Sequence, residues 1–491
     1  MASNDTVDVE IGKKTAADDK EKEEEKVLKE FQFYHGYLPR EDLLFVLKNE
    51  GDFLLRVSEV GSGDKTVEPD MMSRRAMILS VLVSLTPGTD APSKTGTPHA
   101  TVKIKNIIIR QFSSKFYVDM TKQFNSLKEL LEYYQTNTTQ LKNFKFLLKN
   151  PILQQRWEFQ HSDVQLGKLL GEGAYAEVRE GTIKKRNSTQ TLEVAVKLTK
   201  GTGDLSKAKI KEMMREARLI RNFKHKNIVR LYGVAVDEQP LYIILELVKG
   251  GALNAYLRAN GEKVSAFDKV VMCKGAAYGV EYLHKQSCIH MDLAARNCLY
   301  SRDDKVVKIS DFGLSRLGVT YTVRGARKLP IKWLAPETIS TFTFSLKTDV
   351  FSFGVMVFEI FSNGKEPWDG YTNAEVKKGL LEGKTLTLPD TCPEEFRNFI
   401  KDRVYAKDPT VRASMSEVAA FIAQRFTTEQ SLFEKQSENE KSVFERFVSE
   451  SPPKAKSDGK NDDYNSKDVL DGQMKFRKSK GFHHKPTSRR R

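Results

Sequence analysis

The stretch HMDLAARN (290–297) decides how this chain is read, because it sets Asp292, Arg296 and Asn297 within six positions. Ahead of it, AAYGVEYLHKQSCI (276–289) has the pattern of a helix end followed by a short apolar strand. Behind it come CLY and then VVKISDFG (306–313), which carries Asp311. The order is helix, polar loop, strand pair, acidic loop. Polar groups gathered in loops between buried elements mark a site, since loops held by a rigid scaffold carry function. Alone, a D-x-x-x-x-N spacing is most often a capped turn. The flanking sequence has to separate the two readings.

Working outward, VQLGKLLGEGAYAEVREGTI (164–183) predicts a strand, a glycine loop and a strand. Gly171 and Gly173 would let the backbone approach phosphates without a Cβ in the way, although such a pair is also an ordinary hairpin turn. LEVAVKLTK (192–200) is the next strand and contains Lys197, which on its own could be a surface lysine. In KAKIKEMMREARLIRN (207–222), Ile210, Met213, Met214, Ala217 and Ile220 form one helical stripe with Glu216 on its border. A Glu216–Lys197 pair would account for both charges. KNIVRLYGVAV (226–236) and PLYIILELVKGGAL (240–253) predict a strand pair and a hinge, and DVFSFGVMVFEIFSNGKEPW (349–368) a strongly apolar helix.

Together these stretches resemble a protein kinase: the 290–297 run matches H-R-D-x-x-x-x-N and residues 311–313 match D-F-G. Ala294, Ala295 and Arg296, with KLPIKW (328–333), resemble the tyrosine-kinase form. The resemblance implies an ATP site lined by Leu170, Gly171, Glu172, Gly173, Ala174, Tyr175, Ala176, Glu177, Val178, Ala195, Lys197, Leu245, Glu246 and Val248. It implies that Lys197 and Glu216 form the ion pair that aims the lysine at phosphates. Asp292 would orient the substrate hydroxyl, with Arg296 near the incoming phenol. Asn297 and Asp311 would hold Mg2+ or Mn2+. Tyr321 stands at the activating phosphosite, with an exposed tyrosine as the plainer alternative. Asp349 would brace the loop, and Glu337 would pair with Arg412. Two positions depart from the pattern: Met291 replaces the usual arginine and Ala176 the third glycine.

Residues 31–150 hold a second candidate site. YHGYLPRED leads into a predicted helix at 39–48 with Leu43, Leu44 and Leu47 facing a core. DFLLRV (52–57) follows as a strand, and Arg56 within so apolar a run needs an anionic partner. That partner is either an internal carboxylate or a ligand phosphate. The order continues through strands at 76–85, 101–109 and 115–119 and a helix at 126–137. This resembles an SH2 domain. The resemblance implies a phosphotyrosine site of Arg56, Arg40, Ser58 in the following loop, and Lys103, since Thr101 aligns with the family's usual histidine. The Pro- and Gly-rich stretch 86–99 is expected to be a surface insertion.

Composition bounds the rest. The 491 residues carry a net charge of +15, which suits anionic partners without choosing among them. Cys273, Cys288, Cys298 and Cys392 are scattered, as expected for reduced thiols and not for a zinc site. AMILSVLVSL (76–85) is too short to span a bilayer. No signal peptide is visible, and Ala2 excludes N-myristoylation. Residues 1–30 are expected to be disordered or a short solvated helix. The tail from 451 carries a surplus of seven positive charges. Its KFRKSK cluster (475–480) could touch acidic membrane, with a merely solubilising tail as the simpler reading, and no nucleic-acid partner is expected. Tyr464 is a candidate phosphosite.

The expected fold class is α+β: an SH2 domain, with a central antiparallel sheet flanked by two helices, followed by a bilobal protein kinase domain. The boundaries are a charged N-terminus at 1–30, the SH2 block at 31–150, a linker at 151–163, the kinase block at 164–426, and a helix with a basic tail at 427–491. The whole resembles the Fes/Fer group of non-receptor tyrosine kinases and would be expected to lack that group's N-terminal membrane-bending region. This implies a cytoplasmic enzyme, peripheral at the plasma membrane if the tail engages lipid. It would transfer the ATP γ-phosphate to protein tyrosines and be recruited by phosphotyrosine proteins. The rival reading, prompted by Met291 and Ala176, is an inactive phosphotyrosine-binding scaffold.

Overall fold

The computed structural model describes residues 16–59, 75–85, 101–173, 176–184, 190–200, 207–324 and 329–426. The tail, the 86–99 insertion, Tyr464 and loop residues Ala174 and Tyr175 lie outside them. The first sheet forms where β-branched and aromatic runs alternate. Its strands are β1 (Asp52–Glu59), β2 (Arg75–Leu85), β3 (Thr101–Phe112), β4 (Lys115–Asp119) and β5 (Lys122–Phe124). Helices α1 (Ala16–Lys29) and α2 (Arg40–Val46) precede it, and α3 (Leu127–Thr136) follows. Ser126 caps α3 by accepting from the Glu129 N–H at 3.1 Å. A hairpin of β6 (Thr139–Leu141) and β7 (Phe144–Phe146) comes next, then β8 (Asn150–Pro151), which closes the order β5-β4-β3-β2-β1-β8.

Three expectations are corrected here. The first thirty residues are not uniformly solvated: the end of α1 is docked, with Leu28 in the core and Lys29 paired with Asp237 and Glu238. Leu28 and ion pairs at both Glu25 and Lys29 hold it, although the run before them is acidic. The helix expected over 39–48 is shorter, and Leu44 points to solvent while Leu43 and Leu47 are buried. Ser58 lies within β1, paired with Ala76, and not in the loop after it.

The linker is structural. Its β9 (Glu158–Phe159) pairs in parallel with β13 (Leu231–Ala235) at the edge of a second sheet. That sheet also contains β10 (Val164–Glu172), β11 (Ala176–Lys184), β12 (Thr191–Thr199) and β14 (Tyr242–Glu246), in the order β10-β11-β12-β14-β13-β9. Helix α4 (Lys207–Arg221) packs its Ile210, Met213, Met214 and Ala217 stripe into a core shared with the first sheet. Gly36, at φ +53°, sits where a Cβ would fall 1.9 Å from the Val236 carbonyl oxygen, so close approach at this seam requires glycine.

The remaining chain is mainly helical: α5 (Leu253–Asn260), α6 (Ala266–Lys285), α7 (Pro336–Thr341), α8 (Leu346–Phe361), α9 (Asn373–Glu382), α10 (Glu394–Phe399) and α11 (Met415–Arg425). Short ladders interrupt it. β15 (Cys288–Ile289) pairs with β18 (Arg316–Leu317), β16 (Cys298–Ser301) with β17 (Val306–Ile309), and β19 (Thr320–Thr322) with β20 (Thr343–Ser345). The core is centred on α6 and α8. The polar loops at 290–297 and 310–313 emerge from it on rigid supports. Among the described residues, no helix is long and apolar enough to cross a membrane.

Candidate active site

Lys197 lies in β12 with Val178 opposite on one neighbouring strand and Ile243 on the other, while Ala195 faces Leu245. Residues directly opposite in an antiparallel pair share a face, so Val178, Ala195, Lys197 and Leu245 line one side of the sheet. Lys197 Nζ donates to Glu216 Oε1 at 2.8 Å and Oε2 at 3.0 Å, and to Asp311 Oδ1 at 3.1 Å. Burial opposes the charge on Lys197, yet the two carboxylates outweigh it and hold the ammonium protonated well above its ordinary range. Burial pushes Glu216 up, and Asp311 is left below the usual carboxylate range because Lys197 outweighs its burial.

The loop after β15 is fixed from beneath. Asp349 on α8 accepts from the backbone N–H of His290 at 2.7 Å and of Met291 at 3.0 Å. Arg296 donates to Asp292 Oδ1 at 2.6 Å, and Asn297 Nδ2 donates to Asp292 Oδ2 at 2.8 Å and to its carbonyl at 2.7 Å. With its amide nitrogen so engaged, Asn297 has its Oδ1 left to meet a cation. Burial lifts the Asp292 carboxyl above its usual range, and Arg296 partly offsets this. The Ser310 N–H donates to the Asn297 carbonyl at 2.9 Å, which ties this loop to the one carrying Asp311. Met291 and Asp311 both adopt left-handed backbone, at φ 70° and 57°. Such conformations cost energy in non-glycine residues and collect at functional sites. Phe312 is buried between His290 and Phe223.

The rim offers room for a phosphate chain. A Cβ at Gly171 would meet nothing within 4 Å, so packing does not require glycine there. Its absence of a side chain leaves the loop's inner face open. Leu170, Gly171, Glu172 and Gly173 are exposed, and Ala176, Glu177 and Val178 begin β11 half-buried. Glu246 and Val248 follow at the hinge, where the Glu246 side chain is engaged by Lys308 at 2.9 Å. Asp311, bonded to the protonated Lys197, and Asn297 offer one carboxylate and one amide oxygen, the hard-oxygen chemistry that suits Mg2+ beside a polyphosphate.

A family model described as protein tyrosine and serine/threonine kinase matches residues 164–422. The chain belongs to the protein kinase family. Within it the chain belongs to the Fes/Fer group by its relatives. It is 34% identical over 398 residues to the human tyrosine-protein kinase Fer, an alignment covering 80% of this chain and 44% of Fer. It is 32% identical to Fer-related kinase 1 of Caenorhabditis elegans, covering 79% and 92% of the two chains. It is 33% identical to the tyrosine-protein kinase transforming protein Fps of avian sarcoma virus (strain PRCII), covering 81% and 68%. The kinase spans less than half the length of Fer.

Next to the loop that carries Arg296, Pro330 precedes a 3-10 turn that presents Trp333. The Arg296 guanidinium lies 4.2 Å from the centre of the Trp333 ring. Glu359 on α8 is a residue that the sequence reading missed. It is buried, its Oε2 accepts from the Ala295 N–H at 2.8 Å and the Trp333 indole N–H at 3.0 Å, and burial lifts its carboxyl to about 7. As the lone charge in FSFGVMVFEIF (351–361), it carried the same signal that drew attention to Arg56. Glu337 meets Arg412 in a two-point fork at 2.6 and 3.0 Å beneath this region. Tyr321 is half-buried in β19, with the Arg316 guanidinium 5.0 Å from its ring centre.

The second site centres on Arg56, which is 2% exposed. Its Nε donates to Ser80 Oγ at 3.0 Å, one terminal nitrogen donates to Asn106 Oδ1 at 2.9 Å, and the other reaches the Leu38 carbonyl at 3.4 Å. All three partners are neutral. Burial, then the nearby Arg40, draw its guanidinium down to about 10, with Glu41 offsetting a little. The internal carboxylate allowed by the sequence is not among its hydrogen-bond partners. Arg40 and Ser58 share this neighbourhood: Arg40 acts on Arg56 electrostatically, and Ser58 follows two residues on along the same strand face. Lys103 does not. It pairs with Val83, an odd number of residues from Asn106, so strand alternation turns it to the opposite face. The register Ser80↔Asn106 makes Asn106 the β3 residue that meets Arg56.

Proposed function

We propose that this chain transfers the γ-phosphoryl group of ATP to tyrosine hydroxyls of proteins, and that residues 31–150 form an SH2 module that brings it to phosphotyrosine-bearing partners in the cytoplasm. The observation that carries the catalytic half is Lys197 bound at once to Glu216 and Asp311, beside an Asp292 held by Arg296 and Asn297.

Phosphoryl transfer asks little covalent chemistry of the protein; positioning and charge neutralisation do most of the work. Bound Mg2+ supplies charge neutralisation on the triphosphate, and Asn297 Oδ1 and Asp311 are the oxygens of this chain that would hold it. Lys197, protonated throughout the physiological range, offers its ammonium to phosphate oxygens and is aimed by Glu216. Asp292 orients the incoming phenol and receives its proton at a carboxylate whose two oxygens are already held in place. Val178, Ala195 and Leu245 give the flat apolar surface an adenine needs.

The phosphotyrosine half rests on Arg56, a buried guanidinium with neutral partners and a second arginine nearby. An arginine fork matches phosphate oxygens bidentately. The alignments with Fer and Fps, 398 and 400 residues long, extend well beyond the 164–422 block, which agrees with a shared N-terminal module. Tethering through it would raise the local substrate concentration, so weak selectivity at the active site can suffice.

The test is incorporation of phosphate from Mg-ATP into a tyrosine-containing polymer, with the Asp292→Asn variant alongside. Losing the acceptor carboxylate should cost at least about 100-fold. Equal signals from the two proteins would return the account to the inactive scaffold.

A further inference from the structure

Glu359 lies outside every role described for the nucleotide or the metal, yet one of its oxygens joins two segments that face the phosphoacceptor. Oε2 accepts from the Ala295 N–H at 2.8 Å, inside the loop that carries Asp292, Arg296 and Asn297. The same atom accepts from the Trp333 indole N–H at 3.0 Å, on the ledge that follows Pro330. Trp333 is fixed a second time, because Ser352 Oγ donates to its carbonyl at 2.8 Å. Its ring then carries the Arg296 guanidinium at 4.2 Å, and Arg296 donates to Asp292 Oδ1 at 2.6 Å.

We propose that Glu359 is a positioning residue for the phosphoacceptor, holding Trp333 in the plane on which Arg296 rests so that Arg296 keeps Asp292 aimed at the tyrosine hydroxyl. The inference rests on the acceptor role given to Asp292. The physical basis is that Arg296 is long and rotamer-rich, and a single contact to Asp292 would not fix it. An indole face beneath the guanidinium restricts it, and stacking of this kind adds attraction of its own. The indole can serve only if its own tilt is set, and the bond to Glu359 sets it. Without that acceptor, the buried Ala295 N–H and the partly buried indole N–H lose their partner and both segments are free to shift. An error of ~1 Å in the acceptor geometry can cost on the order of 100-fold in rate.

The experiment is steady-state kinetics with Mg-ATP and a tyrosine peptide on the full chain. Glu359→Leu should raise the peptide KM and lower kcat, together by about ten- to a hundredfold in kcat/KM, with a much smaller change in the ATP KM. Glu359→Gln retains an oxygen for both N–H donors and should recover most of that loss. Trp333→Phe keeps a ring but not the N–H, and should raise the peptide KM in the same direction. Peptide kinetics unchanged in Glu359→Leu would overturn the proposal, as would an ATP KM rising in parallel with the peptide KM. If Glu359→Leu does not fold, an unchanged peptide KM in Trp333→Phe overturns it instead. A readout independent of turnover is the Trp333 indole N–H resonance, one of three tryptophan signals in the chain. It should move in both Glu359→Gln and Arg296→Met, even if the parent proves no more active than Asp292→Asn. An indole signal indifferent to either change would refute the linkage, whereas an inactive parent with a responsive indole would refute only the catalytic reading.

Discussion

Arg218 grips Asp42 in a two-point fork: Nε donates to Oδ1 at 2.7 Å and a terminal nitrogen to Oδ2 at 2.6 Å. Asp42 belongs to α2, which also carries Arg40, and Arg218 belongs to α4, two residues after Glu216. The fork therefore bolts the helix of one site to the helix of the other. The Asp42 side chain is 2% exposed and that of Arg218 20%. Removing only the arginine leaves a buried carboxylate without its counter-ion, which should cost roughly 3 kcal/mol. Arg218→Met is expected to lower the unfolding midpoint clearly, and adding Asp42→Leu to it should restore much of the loss. Calorimetry on the three proteins checks this; a double variant less stable than Arg218→Met would show that the fork is not what holds the seam.

Arg56 makes a separable prediction. Its guanidinium is buried against neutral acceptors, so replacement by an apolar residue of similar length removes a desolvated charge and need not unfold the block. Arg56→Met should weaken binding of a phosphotyrosine peptide by about 100-fold or more, in line with the loss of a bidentate charge-assisted contact and its positive field. Melting temperature and phosphorylation of an untethered peptide should stay near those of the parent. Titration calorimetry decides: retained phosphopeptide affinity would leave Arg56 as a purely internal residue.

The parts of this fold that could be read from sequence are those whose pattern is local. Strands that the SH2 resemblance implied over 76–85 and 115–119 are observed at Arg75–Leu85 and Lys115–Asp119, where local apolar runs support them whatever their partners. The stripe of α4 announced which side of that helix is buried, and with it the place of Glu216. What escaped depends on pairing between distant segments. The neighbour of Arg56 on β3 hinges on the register across β2, and counting from TVKIK settled on Thr101 and Lys103 where the ladder brings Asn106. A shift of odd length turns a side chain to the other face, so that miscount changed a candidate ligand residue into a bystander. The docking of α1 escaped for a similar reason, since its anchors, Arg75 and Asp237, lie far along the chain.

The Met291 substitution bears on activation. A methionine cannot bond a phosphate, and here it is buried at 5% exposure with its backbone N–H held by Asp349. Arg316 lies over the Tyr321 ring and donates to the carbonyls of Leu314 and Ser315. With its guanidinium already partly engaged by those carbonyls, Arg316 offers a phosphate on Tyr321 only part of its charge-assisted bonding. Tyr321→Phe is therefore expected to retain activity within several-fold of the parent, and Arg316→Ala to remove whatever stimulation phosphorylation gives. Initial rates on phosphorylated and unphosphorylated protein measure both. Abolition of activity in Tyr321→Phe would be incompatible with this account.

The seam between the two sheets should also respond to pH, and the sign follows from two histidines. His35 directs Nδ1 at Glu158 Oε2 and Nε2 at the Ile152 carbonyl, each at 2.8 Å. His161 directs Nδ1 at Asp237 at 2.6 Å and Nε2 at the Pro240 carbonyl at 2.8 Å. All four partners are acceptors, so each ring satisfies both contacts only when it carries two protons. Burial opposes that charge, but the carboxylates and hydrogen bonds outweigh it and raise both histidines above their ordinary value. The folded state thus holds protons that the unfolded chain releases near pH ~6.5. The stabilisation is complete below that pH and drains away as pH climbs through the raised folded values. Melting temperatures should decline from about pH 6 to pH 9, and the decline should be shallower in His35→Gln, whose side chain cannot titrate. A parent protein whose melting point rises over that interval, or a variant with the same slope, would mean that these rings are neutral and that the linker is held by something else.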